Sequence, residues 1–134
     1  MEVKLHLTED YASQVFSLYK ETWWAENRTL DQTANCIKGS QITVGLFDGE
    51  DLVGFARAIT DFIFKAIIFD VIVSEKHRGK GLGKKLIIAI KEHPKLHSIT
   101  HFELYCLPEM ESFYEGFGFT SNVGGIHLMR CTNA

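Results

Sequence analysis

The feature that most constrains the fold is a strand, a glycine-rich loop and a helix that follow one another between residues 67 and 92. Residues 67–73 read IIFDVIV, a β-branched and nearly continuous apolar run that is typical of strands buried on both faces. Residues 74–85 read SEKHRGKGLGKK, and apolar side chains recur at positions 82, 86, 87, 89 and 90, which predicts a helix with a wide apolar stripe. A helix that begins directly after a strand and a glycine-rich loop predicts a site for an anion.

The loop contains the groups that hold a phosphate. The first amides of a helix lack intrahelical partners, and the helix dipole adds about half a positive charge there. Gly79, Gly81 and Gly83 allow positive φ and a close approach of the backbone to a ligand. Formal positive charge comes from four side chains: Arg78, Lys80, Lys84 and Lys85. We therefore interpret the loop as a cradle for a pyrophosphate.

Two common pyrophosphate motifs fit the loop poorly. A P-loop has four residues between its glycines, followed by Lys and Ser or Thr, whereas three residues separate Gly79 from Gly83, and Lys84 is followed by Lys85. A dinucleotide-binding G-x-G-x-x-G fingerprint would need glycine at position 84 or 86, where this chain has Lys and Leu. Glu103 does lie about 20 residues further on, where a ribose-binding acid is expected. A dehydrogenase or other nucleotide-binding enzyme therefore stays open as a rival interpretation.

Length and composition limit the classes of protein. With 134 residues, of which 46% are hydrophobic and 23% charged, we expect one domain over residues 1–134. The net charge of −3 gives no basic surface for nucleic acid, and no apolar run is long enough to span a membrane. The N-terminal residues lack the apolar segment of a signal peptide, and the three cysteines form no metal or redox motif. We expect a cytoplasmic protein that binds no metal.

The hydrophobic pattern predicts elements in the order β-α-α-β-β-β-α-β-α-β. Strands are expected at six places: residues 3–7, 41–47, 52–60, 67–73, 98–106 and 125–131. Helices are expected at four places: residues 11–19, 30–38, 82–92 and 109–115. A hairpin followed by one parallel crossover gives an α/β fold with a mixed central β-sheet that is flanked by helices on both faces.

Two motifs together resemble those of the GCN5-related N-acetyltransferase (GNAT) family. Arg78, Gly81 and Gly83 match its R-x-x-G-x-G loop for acyl-CoA. Residues 113–119, which read FYEGFGF, are similar to its F-Y-x-x-x-G-F segment. The order of predicted elements agrees with the acyl-CoA N-acyltransferase fold of the family. The strong resemblance covers roughly residues 40–120, and the N-terminal third agrees only in its pattern of elements.

The resemblance implies transfer of the acetyl group of acetyl-CoA, the co-substrate, to a primary amine. In the family the loop amides and the preceding Arg, here Arg78, hold the pyrophosphate of CoA. The loop residues concerned are Gly79, Lys80, Gly81, Leu82, Gly83 and Lys84. The backbone of Val71, Ile72 and Val73 would pair with the pantetheine arm. Tyr114 would be the general acid that protonates the departing CoA sulfur.

The base that removes a proton from the amine has more than one candidate. Asp70 is a carboxylate within an apolar strand, where it either acts on the amine with a raised pKa or is a hydrogen-bonded structural group. Glu103 is the second candidate, and the family often deprotonates its amine through water. Tyr114 also has a structural alternative, packing against its aromatic neighbours. One position departs from the family, because Leu107 lies where an Asn usually contacts pantetheine.

Trp23, Trp24 and Arg28 are candidate acceptor-binding residues, because family substrates often bind near the first two helices. Adjacent residues on a helix cannot share one face, so we expect one Trp to be buried and the other exposed. The acceptor is expected to be a small-molecule amine, and the net charge of −3 favours a cationic one. Protein N-termini or lysines stay open as acceptors, and so does a CoA-binding regulatory or interaction module without turnover. The sequence is compatible with a homodimer.

Overall fold

The computed structural model describes residues 1–133 and contains a five-stranded sheet between helices. The strands are β1 Glu2–Lys4, β2 Ile42–Asp48, β3 Asp51–Thr60, β4 Lys65–Val73 and β5 His101–Leu104. The helices are α1 Ala12–Lys20, α2 Leu30–Gly39, α3 Leu82–Lys91 and α4 Glu111–Glu115. The sheet order is β1-β2-β3-β4-β5, and all neighbours are antiparallel except β4 and β5, which are parallel. The predicted mixed sheet with flanking helices is confirmed.

The two faces of the sheet carry separate apolar clusters. Helices α1 and α2 pack on one face, in a cluster that includes Tyr19 and Ile72. Helix α3 covers the other face, where Leu86 and Ile90 are fully buried. Because burying one such side chain contributes about 1.5–3 kcal/mol, the apolar stripe of α3 fixes this helix on the sheet. The glycine loop therefore connects the end of β4 at Val73 to the N-terminus of α3 at Leu82.

A β-bulge interrupts β4 at Asp70. The register between β3 and β4 shifts between Phe55 and Arg57, which leaves Asp70 and Val71 together opposite Ala56. Asp70 has a φ of 57°, in the left-handed region that is uncommon for residues other than glycine. The Asp70 side chain bonds to α1, whereas Val71 packs with the α3 cluster. Ile68 and Val71, three residues apart, both pack with the α3 cluster, so the bulge shifts the alternation of side chains along β4 by one residue.

Strands β4 and β5 separate halfway along β4. β5 pairs only with residues Lys65–Ile68. Within the described part of the chain, the β4 backbone from Phe69 to Val73 therefore has no strand partner on the β5 side. After Leu104 the chain leaves the sheet and leads to α4. We call this unpaired side of β4, from Phe69 to Val73, the notch.

The prediction of a last strand at residues 125–131 is wrong. These residues form no strand, and Ile126, Leu128 and Met129 are 77%, 57% and 93% exposed. A strand requires an edge with which its amides and carbonyls can pair, and apolar alternation does not supply that edge. β5 is also shorter than the predicted 98–106, because only His101–Leu104 pair with β4. In residues 1–133, no helix combines the length and the apolar character that crossing a membrane requires.

Candidate active site

The glycine loop is open to solvent at the N-terminus of α3. Gly81 is the N-cap of α3 with a φ of 76°, and Gly79 has a φ of 80°. A Cβ atom at either glycine would meet no atom of the described residues within 4 Å, so the loop leaves space for a ligand. The N–H of Lys85 donates to the Gly81 carbonyl at 3.3 Å, and the three amides before it lack intrahelical partners.

A groove of about 270 Å³ borders this loop. Its walls are formed by Val73, His77, Phe113 and the loop residues from Arg78 to Lys84 other than Lys80. The Nε of Arg78 donates to the Val73 carbonyl at 3.3 Å, which ties the loop to the end of β4. Val73, the last residue of β4, therefore belongs both to the groove and to the notch.

The other predicted loop and strand residues differ in burial. The Leu82 side chain is buried in the α3 cluster, so its contribution to the loop is its backbone. Lys84 is exposed in the wall of the groove, whereas Lys80 is exposed in the loop and does not line the groove. The side chains of residues 71–73 alternate between the two apolar clusters. Their backbone borders the notch, as pairing with an extended ligand requires.

Tyr114 lies on α4 and is half-buried among aromatic rings. Its ring centroid is 5.0 Å from that of Phe113 and 6.0 Å from that of Phe119, both edge to face. Burial, and to a smaller degree nearby Cys106, raise the pKa of the Tyr114 phenol above its usual value. The hydroxyl is therefore protonated throughout the neutral range, which is the state that a general acid needs.

Asp70 is the centre of an ion-pair network. Its Oδ2 accepts hydrogen bonds from Tyr19 Oη at 2.8 Å, from Arg28 Nη1 at 2.8 Å and from Arg57 Nε at 2.7 Å. Burial alone would raise the pKa of this carboxyl, but Arg28 and Arg57 outweigh burial and hold the pKa below its usual value. An ionised carboxylate with a lowered pKa is a weak base. This geometry favours the structural alternative for Asp70 over proton abstraction.

Arg28 connects the network to the segment between α1 and α2. Its guanidinium carbon lies 4.7 Å from the ring centroid of Tyr19 and 5.4 Å from that of Trp24. Trp24 is 41% exposed and Trp23 is 72% exposed, and both lie in turns. The expectation that one of them is buried is therefore wrong, because neither lies on a helix that packs on the sheet. The structure brings Trp24 and Arg28 to Asp70 and leaves Trp23 in solvent.

Glu103, the second candidate base, lies where β4 and β5 are still paired. Its Oε1 is 3.1 Å from Lys65 Nζ, and its backbone lies opposite Ile67. Leu107, the position that departs from the family, is 47% exposed and directly precedes the turn that leads to α4. Neither residue joins the Asp70 network.

Four residues of the site were not predicted from the sequence: Tyr19, Arg57, His77 and Phe113. Tyr19 and Arg57 are 51 and 13 residues away from Asp70, and no local pattern marks them as its partners. His77 is adjacent to Arg78, and Phe113 is adjacent to Tyr114. Their positions within the two motifs are the signal that could have included them.

Known proteins resemble the chain in both sequence and fold. The model of the acetyltransferase (GNAT) family matches residues 6–119. The chain is 33% identical over 106 residues to the uncharacterized N-acetyltransferase ycf52 of Gracilaria tenuistipitata var. liui, a match that covers 76% of this chain and 58% of the relative. It is 32% identical over 113 residues to histone acetyltransferase TAP1 of Glycine max, which covers 76% of this chain and 49% of that relative.

A solved structure from Xanthomonas campestris pv. campestris, described as belonging to the GNAT family, has a TM-score of 0.81 and 28% identity. The similarity covers 99% of this chain and 94% of that one. The family model matches residues 6–119 of the 134 in this chain, so the chain belongs to the GNAT acetyltransferase family. The resemblance inferred from the two motifs is confirmed. The chain spans less than two thirds of the length of the curated relatives that it matches.

Proposed function

We propose that the chain transfers the acetyl group of acetyl-CoA to a primary amine of a small molecule. The observation that carries the proposal is the open glycine loop at the N-terminus of α3, whose groove includes Val73 at the end of the notch. Membership of the GNAT family supports acetyl transfer in general.

The loop fits the diphosphate of acetyl-CoA. Free amides at the start of α3 and the positive end of the helix dipole favour an anion. The positive φ angles of Gly79 and Gly81 and the open space beside them allow the backbone to approach it closely. Exposed Lys84 adds positive charge at the groove, and exposed Lys80 adds positive charge in the same loop. Acetyl-CoA, when bound, supplies an activated thioester.

Two groups would then act on the reaction. The backbone of residues 71–73 would orient the donor, and such positioning can lower a barrier by about 7–11 kcal/mol. The Tyr114 hydroxyl would donate its proton to the leaving sulfur, a role typically worth about 10²–10⁴ in rate. For the proton of the amine, water is the acceptor that the lowered pKa of Asp70 favours, and Asp70 itself is the alternative to be tested.

A small-molecule acceptor is supported by the compact group of Trp24 and Arg28 beside the notch, which offers a cation and an aromatic face to one ligand. Exposed Trp23 is the weaker member of the proposed acceptor site. A protein lysine is the alternative, because one relative is named as a histone acetyltransferase.

Release of free CoA thiol, measured with a panel of small amines and a lysine-containing histone peptide, tests the proposal. We expect thiol release with at least one small amine. Turnover of the peptide alone would contradict a small-molecule acceptor and support a protein acceptor. Binding of CoA without turnover of any acceptor would instead support a CoA-binding regulatory module. A larger rise in melting temperature with NAD or ATP than with acetyl-CoA would contradict the proposed ligand.

We also propose that the chain forms a homodimer through residues 125–131. This segment alternates like a strand and exposes Ile126, Leu128 and Met129. β5 is the last strand of the sheet, and such an edge can pair with a strand from another chain. Pairing of the segment with β5 of a second copy would cover both surfaces at once, and the symmetry would close the assembly at two copies.

Analytical ultracentrifugation tests the dimer. We expect the mass of two chains for the wild type and of one chain for the double variant Ile126→Asp, Leu128→Asp. Leu30→Asp is the matched control, because Leu30 is 44% exposed at the start of α2. A wild type that sediments as one chain at micromolar concentration would contradict the proposal.

A further inference from the structure

We infer that the acceptor carries an anionic group in addition to its amine, and that Arg28 binds that group at the bulge end of the notch. The inference rests on the proposed acetyl transfer and defines the class of its acceptor. The shared chemistry is a carboxylate or a phosphate on a small primary amine.

The first support is the charge of the Asp70 network. Arg28 and Arg57 both pair with the same oxygen of Asp70, and in residues 1–133 no other carboxylate forms an ion pair with either guanidinium. Tyr19 contributes a neutral hydroxyl. Two positive charges and one negative charge leave a net charge of +1 in the network. A local positive charge attracts an anion, which reverses the expectation drawn from the overall charge of −3.

The second support is the accessibility of Arg28. Its side chain is 30% exposed, compared with 12% for Arg57. A guanidinium has five N–H donors, and the hydrogen bond that Arg28 makes within the described residues uses its Nη1 on Asp70. Arg57 has fewer N–H donors left, because its Nη1 also donates to Ser40 Oγ at 3.4 Å. Arg28 is therefore the cation with donors left for a ligand.

The third support is the fixed orientation of Arg28. Its guanidinium lies over the rings of Tyr19 and Trp24 and is bonded to a carboxylate that is itself held by Arg57. A guanidinium held in this way loses little freedom when its planar fork binds a carboxylate or a phosphate. A purely structural ion pair explains the contact with Asp70 but does not require a partly exposed cation beside an exposed aromatic ring.

The position of Arg28 matches the requirements of the reaction. Asp70 directly precedes the residues whose backbone borders the notch, residues 71–73. Arg28 bonds to Asp70 from the α1–α2 segment, so its guanidinium lies at the end of the notch that is remote from the glycine loop. One small molecule held by Arg28 through an anionic group would then have its amine beside the notch.

Calorimetry of the CoA-loaded protein tests the inference without turnover. Two matched pairs of probes are used: phenylalanine against phenethylamine for the carboxylate, and glucosamine 6-phosphate against glucosamine for the phosphate. We expect the anionic member of at least one pair to bind about tenfold more tightly than its partner, with a preference that falls as salt rises. Equal affinities in both pairs, tighter binding of the member without the anion, or no binding of either anionic probe would overturn the inference.

Variants of Arg28 assign the preference to this residue. Arg28→Gln should abolish the preference for the anionic member, and Arg28→Lys should keep part of it, because Lys retains the charge but not the planar fork. A preference that persists in a folded Arg28→Gln protein would overturn the assignment. The comparison of probes on the wild type stays decisive if the variant does not fold.

Fluorescence locates the probe. The chain has two tryptophans, so a signal retained in Trp23→Phe and lost in Trp24→Phe would place the ligand beside Arg28. The opposite result would place it elsewhere and contradict the inference. Affinity for CoA is measured on the same samples. If the wild type does not bind CoA, the proposed function itself fails. If it binds CoA but shows no preference for the anionic probes, only this inference fails.

Discussion

Arg28 Nη1 lies 2.8 Å from Asp70 Oδ2 and thereby joins the α1–α2 segment to the bulge in β4 across 42 residues of sequence. Arg57 of β3 bonds to the same oxygen at 2.7 Å. Because the Asp70 side chain is only 4% exposed, loss of its charge would leave two guanidiniums without a partner in a largely buried site. The contact therefore connects the proposed acceptor site with the stability of the fold.

Asp70→Asn should lower the free energy of unfolding by about 3 kcal/mol at neutral pH, because removal of one partner from a buried ion pair leaves uncompensated charge. Urea denaturation measures this loss. Glu103→Gln is the control, since its pair with Lys65 is about half exposed and is expected to contribute less than about 1 kcal/mol. Similar losses in the two variants would contradict the central place of Asp70.

The stability of the wild type should also depend on Asp70 in acid. The pKa of Asp70 is lower in the folded protein than its usual value, so its contribution is present above about pH 4 and is lost as the pH falls through the folded-state pKa. We therefore expect the free energy of unfolding to fall more steeply in the wild type than in Asp70→Asn as the pH falls below about 4. Urea titrations at a series of pH values measure both slopes, and parallel curves would show that Asp70 is not responsible.

The pH–rate profile distinguishes the two roles of Asp70. A carboxylate that accepted the proton of the amine would shift or flatten the profile of kcat/KM when replaced by Asn. Because Arg28 and Arg57 hold the pKa of Asp70 low, we expect Asp70→Asn to lower the rate and to leave the shape of the profile unchanged across the neutral range. A pH–rate profile of different shape in Asp70→Asn would instead show that Asp70 acts as the base.

Tyr114→Phe should lower kcat by about 10²-fold, the lower range of general acid catalysis, and should leave the affinity for CoA unchanged. The ring contacts with Phe113 and Phe119 do not need the hydroxyl, so the variant should fold normally. Tyr11→Phe removes a different phenol hydroxyl, which bonds to Lys4, and serves as the control in steady-state assays. If kcat stayed the same in Tyr114→Phe, packing would be the role of this residue.

The strand, loop and helix of residues 67–92 could be predicted because their signals are local. An apolar run, three closely spaced glycines and a helical apolar stripe each describe a short stretch of chain, and the structure contains β4, the open loop and α3 in that order. The motif at residues 113–119 located Tyr114 for the same reason. The cytoplasmic location and the single domain stay predictions from the sequence.

The Asp70 network could not be predicted, because its members meet only through the register of the sheet. Tyr19 is 51 residues from Asp70 along the chain, and a bulge with a positive φ at a non-glycine residue directs the carboxylate toward it. The strand predicted at residues 125–131 was wrong for a related reason. Strand formation depends on an edge elsewhere in the molecule or in another molecule, and the local alternation of apolar residues contains no information about that edge.

The central claim is that the glycine loop binds the diphosphate of acetyl-CoA, and calorimetric titration of Gly81→Glu with acetyl-CoA tests it most directly. A side chain at this N-cap, with a φ of 76°, would strain the loop and place bulk and negative charge in the space that the diphosphate needs. Gly124→Glu is the matched control, because Gly124 has a φ of 74° and equally open surroundings within the described residues. We predict micromolar binding by the wild type and by Gly124→Glu and no detectable binding by Gly81→Glu. Retention of micromolar affinity by Gly81→Glu would contradict the claim.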